Sequence, residues 1–122
     1  MTQEEKQLLL KEICTRLPYG VICTDLRHGD SKITEVDIED GLVYCFDFDE
    51  YVKVEDCRLY LRPMSSMTKE EENEYRAINC YEGLFPRNED ALDYILSHHF
   101  DYRGLIDKSL ALEAPEDMYK IE

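Results

Sequence analysis

Apolar residues recur at the spacing of one helix face in the opening stretch of the chain, at Leu9, Leu10, Ile13, Cys14 and Leu17. Thr2 followed three residues later by Glu5 is a capping box. Together they predict a helix from about Gln3 to Arg16, which Pro18 prevents from continuing. Tyr19-Gly20 then turns the chain into Val21-Ile22-Cys23-Thr24, a short strand by its β-branched content. Arg27 to Ser31 carries turn chemistry.

The period now changes from helical to two. Thr34, Val36 and Ile38 alternate with Glu35, Asp37 and Glu39, and Leu42, Tyr44, Phe46 and Phe48 alternate with Val43, Cys45, Asp47 and Asp49. A two-residue Asp40-Gly41 turn would place carboxylates among the aromatics. A three-residue loop, Glu39-Asp40-Gly41, instead pairs Ile38 with Leu42, Val36 with Tyr44 and Thr34 with Phe46, and sets Gly41 at the left-handed position of the loop. This register predicts an aromatic core face and an opposite face bearing Glu35, Asp37, Asp47 and Asp49 beside Val43 and Cys45. Tyr51 to Val54 reads as a further strand, Glu55-Asp56 as a turn, and Cys57 to Arg62 as a last strand closed by Pro63. Five short antiparallel strands suit a small SH3-like barrel.

Helical signals then return. Thr68 with Glu71 is a second capping box, opening a helix through about Ile78 whose apolar content is limited to Tyr75, Ala77 and Ile78. Tyr81 to Arg87 reads as a loop with Gly83 and Pro86. Asn88 caps a helix with Glu89 and Asp90 in its first turn and Leu92, Ile95, Leu96 and His99 along one side. A final short helix is expected from about Tyr102 to Ser109, ahead of a tail from Leu110 to Glu122. The expected architecture is α+β and a single domain over residues 1–122: a helical segment to residue 18, an antiparallel β module over 19–63, and helices and tail over 64–122.

Charge sharpens this picture. Lys and Arg number 14 against 28 Asp and Glu, for a net charge of −14. The segment from Glu35 to Asp56 holds nine carboxylates and one base, Lys53, a local charge of −8. A protein that neutralises phosphates needs a basic footprint, so direct nucleic-acid binding is not expected. The start, Met-Thr-Gln-Glu-Glu-Lys, has neither the basic region nor the apolar run of a signal peptide, and no apolar stretch approaches a membrane span. A cytoplasmic protein without membrane contact is the expectation. Five cysteines at wide spacing, Cys14, Cys23, Cys45, Cys57 and Cys80, contain no C-x-x-C pair and read as small buried thiols rather than a zinc site.

Four stretches carry a resemblance: Leu17 to Val21 (LPYGV), Tyr60 to Thr68 (YLRPMSSMT), His99 to Ile106 (HFDYRGLI), and Leu110 to Pro115 (LALEAP) with Met118-Tyr119-Lys120. The chain resembles a family of small proteins of gut Bacteroides and relatives, often encoded in prophages and other mobile elements. The resemblance implies a bacterial cytosolic setting and a mobile-element origin, and carries no activity with it. Two positions depart from the family pattern, which has glycine where this chain has Ser109 and Asp117. Glycine at the first would suit a left-handed helix cap.

Candidate chemistry is sparse. His98 and His99 are adjacent and point about 100° apart on a helix, so they do not chelate one ion as an i, i+4 pair would. Asp47-Phe48-Asp49 has a D-x-D form, and in the preferred register Asp47 and Glu35 lie diagonally, where a hydrated Mg²⁺ or Ca²⁺ could bridge them. Ser65-Ser66 precedes a helix start that could hold an anion, with capping as the more economical use. No nucleophile elbow, zincin helix or glycine-rich phosphate loop is present. No catalytic residue, metal ligand or cofactor is assigned. Tyr60, Arg62, Tyr102 and Arg103 are of the types enriched at binding hot spots. The preferred expectation is a non-catalytic module that binds another protein, its identity and the oligomeric state left open. An acidic mimic of nucleic acid, using Glu35, Asp37, Asp47 and Asp49 against a DNA-binding protein, is the alternative, and a small metal-dependent or hydrolytic enzyme stands as the contrast.

Overall fold

The computed structural model describes residues 1–25, 27–80 and 83–119. Helix α1 spans Gln3–Arg16 with the expected Thr2/Glu5 capping box formed in both directions. Seven strands follow, β1 Ile22–Asp25, β2 Gly29–Asp37, β3 Leu42–Cys45, β4 Glu50–Lys53, β5 Cys57–Pro63, β6 Phe100–Asp101 and β7 Ala111–Glu113. Helices α2 (Lys69–Asn79) and α3 (Glu89–Ser97) separate β5 from β6. Thr68 caps α2 through the second capping box, and the Asn88 side chain accepts from Ala91 N–H at 2.8 Å to cap α3. No helix among the described residues is long and apolar enough to cross a membrane.

The fold is α+β with one mostly antiparallel sheet, in the order β4-β3-β2-β1-β5-β6, with β7 also paired to β5. It is not the five-stranded SH3-like barrel expected from the strand pattern. Leu59 pairs with Cys23 on one side and with Ala111 on the other. The parallel strands β6 and β7 thus occupy the side of β5 that a closing strand would need, and β4 remains an open edge. The strands that complete the sheet lie some forty residues beyond β5 and are two and three residues long, too short for a periodic signal.

The β2–β3 hairpin also differs from the expected register. Asp37 pairs with Leu42, Val36 with Val43 and Glu35 with Tyr44, and a β-bulge then carries the ladder to Ile33 and Cys45. The bulge at Thr34 lets Ile33 and Val36, three residues apart, both face the core, which uninterrupted alternation forbids. Val36, Val43 and Val52 form the inner row, and Glu35, Tyr44 and Tyr51 the outer row. Gly41 does take the left-handed conformation, at φ 68°, within a four-residue connection.

Leu9, Leu10 and Ile13 of α1 pack on the inner face of the sheet in the main core with Val21, Ile33, Val43, Leu59 and Leu61. Each fully buried aliphatic side chain contributes about 1.5–3 kcal/mol. A second core joins α2, α3 and β6 through Tyr75, Ala91, Tyr94, Ile95 and Phe100. Tyr75 makes α2 less solvated than its composition implies, being fully buried with its hydroxyl on Leu84 O at 2.7 Å. Charged residues link the cores: Arg16 Nε donates to Glu12 at 3.1 Å, Arg16 Nη2 to Phe100 O at 2.8 Å, and Arg103 Nε meets Glu12 Oε1 at 2.5 Å. Glu12 and Arg16 are completely buried.

The helix expected over 102–109 is replaced by successive turns. The Asp101 carboxylate accepts from Leu105 and Ile106 N–H, and the turn ends in a Schellman arrangement, Leu110 N–H to Leu105 O at 2.9 Å and Ser109 N–H to Ile106 O at 3.1 Å. Ser109 holds the left-handed position at φ 62° without being glycine. Tyr119 ties down the tail by accepting from Ile22 N–H and donating to Tyr60 O at 2.7 Å, while its ring stacks on His99 at 3.7 Å. The last part of the expected tail, residues 120–122, and the start of the expected 81–87 loop, residues 81 and 82, lie outside the described residues.

Candidate functional site

The outer face of β2, β3 and β4 concentrates charge and aromatic surface. Glu35, Tyr44 and Tyr51 are direct cross-strand partners, and the neighbouring row is Asp37, Leu42 and Lys53. The Tyr44 and Tyr51 rings lie 5.1 Å apart and are tilted by 56°. Tyr51 hydroxyl donates to Glu35 Oε2 at 2.7 Å, and Tyr44 hydroxyl donates to Asp49. These carboxylates stabilise the neutral phenols: Asp49 pushes Tyr44 up to about 12, and Glu35 raises Tyr51. Both rings are therefore held as uncharged hydrogen-bond donors whose orientation is fixed by acidic residues.

Large apolar groups extend the surface at both ends of the hairpin. Ile38, in the β2–β3 connection, is 66% exposed and Phe46, in the β3–β4 connection, 63%, beside Tyr51 at 54%. These exposed apolar side chains flank the acidic residues Glu35 and Asp37 of the outer face. Lys53 on β4 and the exposed Lys32 on β2 are the bases of these strands, against the nine carboxylates of residues 35–56, so the potential over the face is negative.

Of the four acidic residues expected on one strand face, Glu35 and Asp37 share the outer face of β2. Asp47 and Asp49 instead fall in the turn after β3. Asp47 caps backbone there, accepting from Lys32 N–H at 3.0 Å, and Asp49 sits at φ 53°. The diagonal Asp47/Glu35 cation bridge rested on a register that does not form, and Glu35 is engaged by Tyr51. Tyr44 and Phe46, expected in the core, are on the outside, and Val43 and Cys45 are fully buried.

Tyr60, Arg62, Tyr102 and Arg103 each have their polar groups engaged by neighbouring side chains. Tyr60 hydroxyl donates to Asp30 at 3.0 Å. Arg62 makes a bidentate pair with Glu71 at 2.7 and 2.8 Å and stacks 4.2 Å over Phe100. That guanidinium holds Glu71 down at about 2. Arg103 donates to Tyr102 hydroxyl at 3.0 Å besides reaching Glu12. A groove of about 500 Å³ runs beside Arg62, Thr68, Glu71, Glu113 and Tyr119, but its cation is already neutralised by Glu71.

Of the histidines, His98 stacks on Tyr94 at 4.0 Å, and His99 is buried at φ 64°, beyond the end of α3. Burial holds the His99 imidazole down at about 4. Ser66 closes a 3-10 turn by donating to Pro63 O. Cys80 departs from the expectation of buried thiols, being exposed at the left-handed cap of α2, while Cys14 is half-buried and Cys23, Cys45 and Cys57 lie in the core. The three core sulfurs lie within 4.8 Å of one another and are the cysteine, histidine or carboxylate group among the described residues with spacing suited to a metal.

No protein-family model, curated protein or solved structure matches the chain. The functional reading therefore rests on the geometry of the outer face. Its tyrosine pair is hidden in the sequence because the connection 38–41 is one residue longer than the expected three-residue loop. The available signal was the β-branched row Val36, Val43 and Val52, which outcompetes tyrosine for a buried position because a buried phenol hydroxyl needs a partner.

Proposed function

We propose that this chain is a non-catalytic protein-interaction module that captures a cationic segment of a partner protein on the outer face of β2–β4. The observation that carries the reading is the Tyr44–Tyr51 pair, locked by Glu35 and Asp49 on an acidic, exposed sheet face. Arginine and lysine side chains suit such a surface twice over. Their charge is attracted to the carboxylates, and their flat or apolar parts pack on aromatic rings. Locked rings also lose little conformational freedom on binding. Exposed Phe46 and Ile38 supply apolar contact at the two ends.

The partner's cationic segment belongs, in the stronger form of this proposal, to a surface that otherwise grips nucleic acid. Ordered carboxylates then act in place of phosphates, in keeping with the mobile-element origin that the sequence resemblance implies. Calorimetric titration with an arginine-rich peptide, a lysine-rich peptide and an acidic control of equal length tests the general reading. Saturable binding to the basic peptides that weakens steeply with salt supports it. Equal binding to the acidic control, or none to either basic peptide, overturns it.

A further inference from the structure

The inner face of the same sheet holds a different kind of site. Cys23 on β1, Cys45 on β3 and Cys57 at the start of β5 are 0%, 0% and 2% exposed. They come from three strands, yet the curvature of the sheet brings their sulfurs within 4.8 Å of one another, with Cys23 Sγ and Cys45 Sγ 3.9 Å apart. Zinc bound to thiolate at about 2.3 Å requires sulfurs about 3.8 Å apart in a tetrahedral site. One edge of the triangle thus already has the required length, and the others need to contract by about 1 Å or less.

A buried carboxylate lies on the same strand face, outside the group of atoms that fall within 4.8 Å of one another, and would have to move in to complete the site. Asp25 shares the inward face of β1 with Cys23 and is the direct strand partner of Cys57. It is 5% exposed, and its carboxylate is oriented by His28 Nδ1 at 2.7 Å and Arg27 N–H at 3.2 Å. Oriented second-sphere contacts of this kind are what a carboxylate ligand requires. The remaining cysteines, Cys14 and Cys80, stand outside the cluster.

We propose that Cys23, Cys45 and Cys57 form a buried trithiolate site for a soft divalent metal ion of the zinc class, with Asp25 as the fourth donor. Each thiol gives up its proton to water as its sulfur–metal bond forms, so no oxidant or reductant is involved. The ion clamps β1, β3 and β5 together beneath the hairpin that carries the outer face. The site shares no side chain with that face, so its test is independent of the proposed binding function.

The test uses the full chain with Cys14→Ser and Cys80→Ser, so that the three core thiols alone remain. Cd²⁺ serves as the probe, added to the reduced native protein and also during refolding from urea, so that slow entry into a closed core does not hide binding. The expected result is one bound Cd²⁺ per chain with sulfur-to-cadmium charge-transfer absorption and a higher melting temperature. Cys45→Ala and, separately, Cys57→Ala should weaken binding by about tenfold or more. Absence of the charge-transfer band under both conditions overturns the proposal. So does a band that keeps its intensity and affinity in both alanine variants.

Discussion

Tyr51 reaches across the sheet from β4 to donate its hydroxyl to Glu35 on β2, with Tyr44 on the intervening strand. The contact follows from the four-residue connection 38–41, which pairs Asp37 with Leu42 and so sets Glu35 opposite Tyr44. The expected three-residue loop would instead set Val36 opposite Tyr44 and turn the aromatics toward the core. One residue in the length of the connection therefore decides which β2 side chains share a face with the tyrosines, and the bulge at Thr34 then returns Ile33 to the core opposite Cys45.

The register makes an immediate prediction. Val43→Ala should destabilise the protein by about 2 kcal/mol, because it opens space in a fully buried row. Tyr44→Ala should cost less than about 1 kcal/mol, the usual range for a surface change. Urea unfolding of the two variants checks this, and the reverse order would contradict the observed register.

Ser109 occupies the left-handed position of a Schellman turn between the buried residues Leu105 and Leu110. A side chain there is strained by contact with its own backbone. Ser109→Gly should stabilise the fold by about 0.5–1 kcal/mol after the loss of chain entropy is included. Thermal and urea unfolding should both show the gain.

Acid should weaken the protein in two steps. His99 has its ordinary value of 6.5 when unfolded and about 4 when folded, so the unfolded chain binds the proton first. Stability is complete above 6.5, falls between 6.5 and 4, and loses up to about 3 kcal/mol from this group. Glu71, held at about 2 by Arg62 against an ordinary 4.5, adds a second loss between those values as the pH falls. His99→Asn, which tolerates the left-handed backbone, should flatten the upper step alone. Unfolding free energies measured from pH 7 to pH 3 provide the comparison.

Glu12 and Arg16 form a completely buried ion pair that Arg103 and Phe100 O complete. Glu12→Gln leaves Arg16 buried without its counter-charge and should cost about 3 kcal/mol or more. Glu12→Gln with Arg16→Met should recover part of the loss in urea unfolding, since the uncompensated charge is then gone.

Local signals in the sequence carry far into this fold. The two capping boxes, the Asn88 cap, the bounds of α1 and the left-handed Gly41 follow from side-chain chemistry within a few residues. What the sequence leaves hidden is nonlocal. The bulge at Thr34 has no distinctive residue, and β6 and β7 gain their strand character only from pairing with β5. Arg62 and Arg103 look like surface anchors until Glu71 and Glu12, distant in sequence, are seen to hold them. The convergence of Cys23, Cys45 and Cys57 depends on sheet curvature, which spacing along the chain does not encode.

The central claim concerns the outer face of β2–β4. Its most direct test is a ¹⁵N-resolved NMR titration of the intact chain with an arginine-rich peptide, repeated on Tyr51→Ala and on Glu35→Gln with Asp49→Asn. Amide shifts should centre on Glu35, Tyr44 and Tyr51, and each variant should weaken binding by about tenfold, equivalent to about 1.4 kcal/mol. Shifts centred on another surface, or affinities unchanged in both variants, would contradict the account.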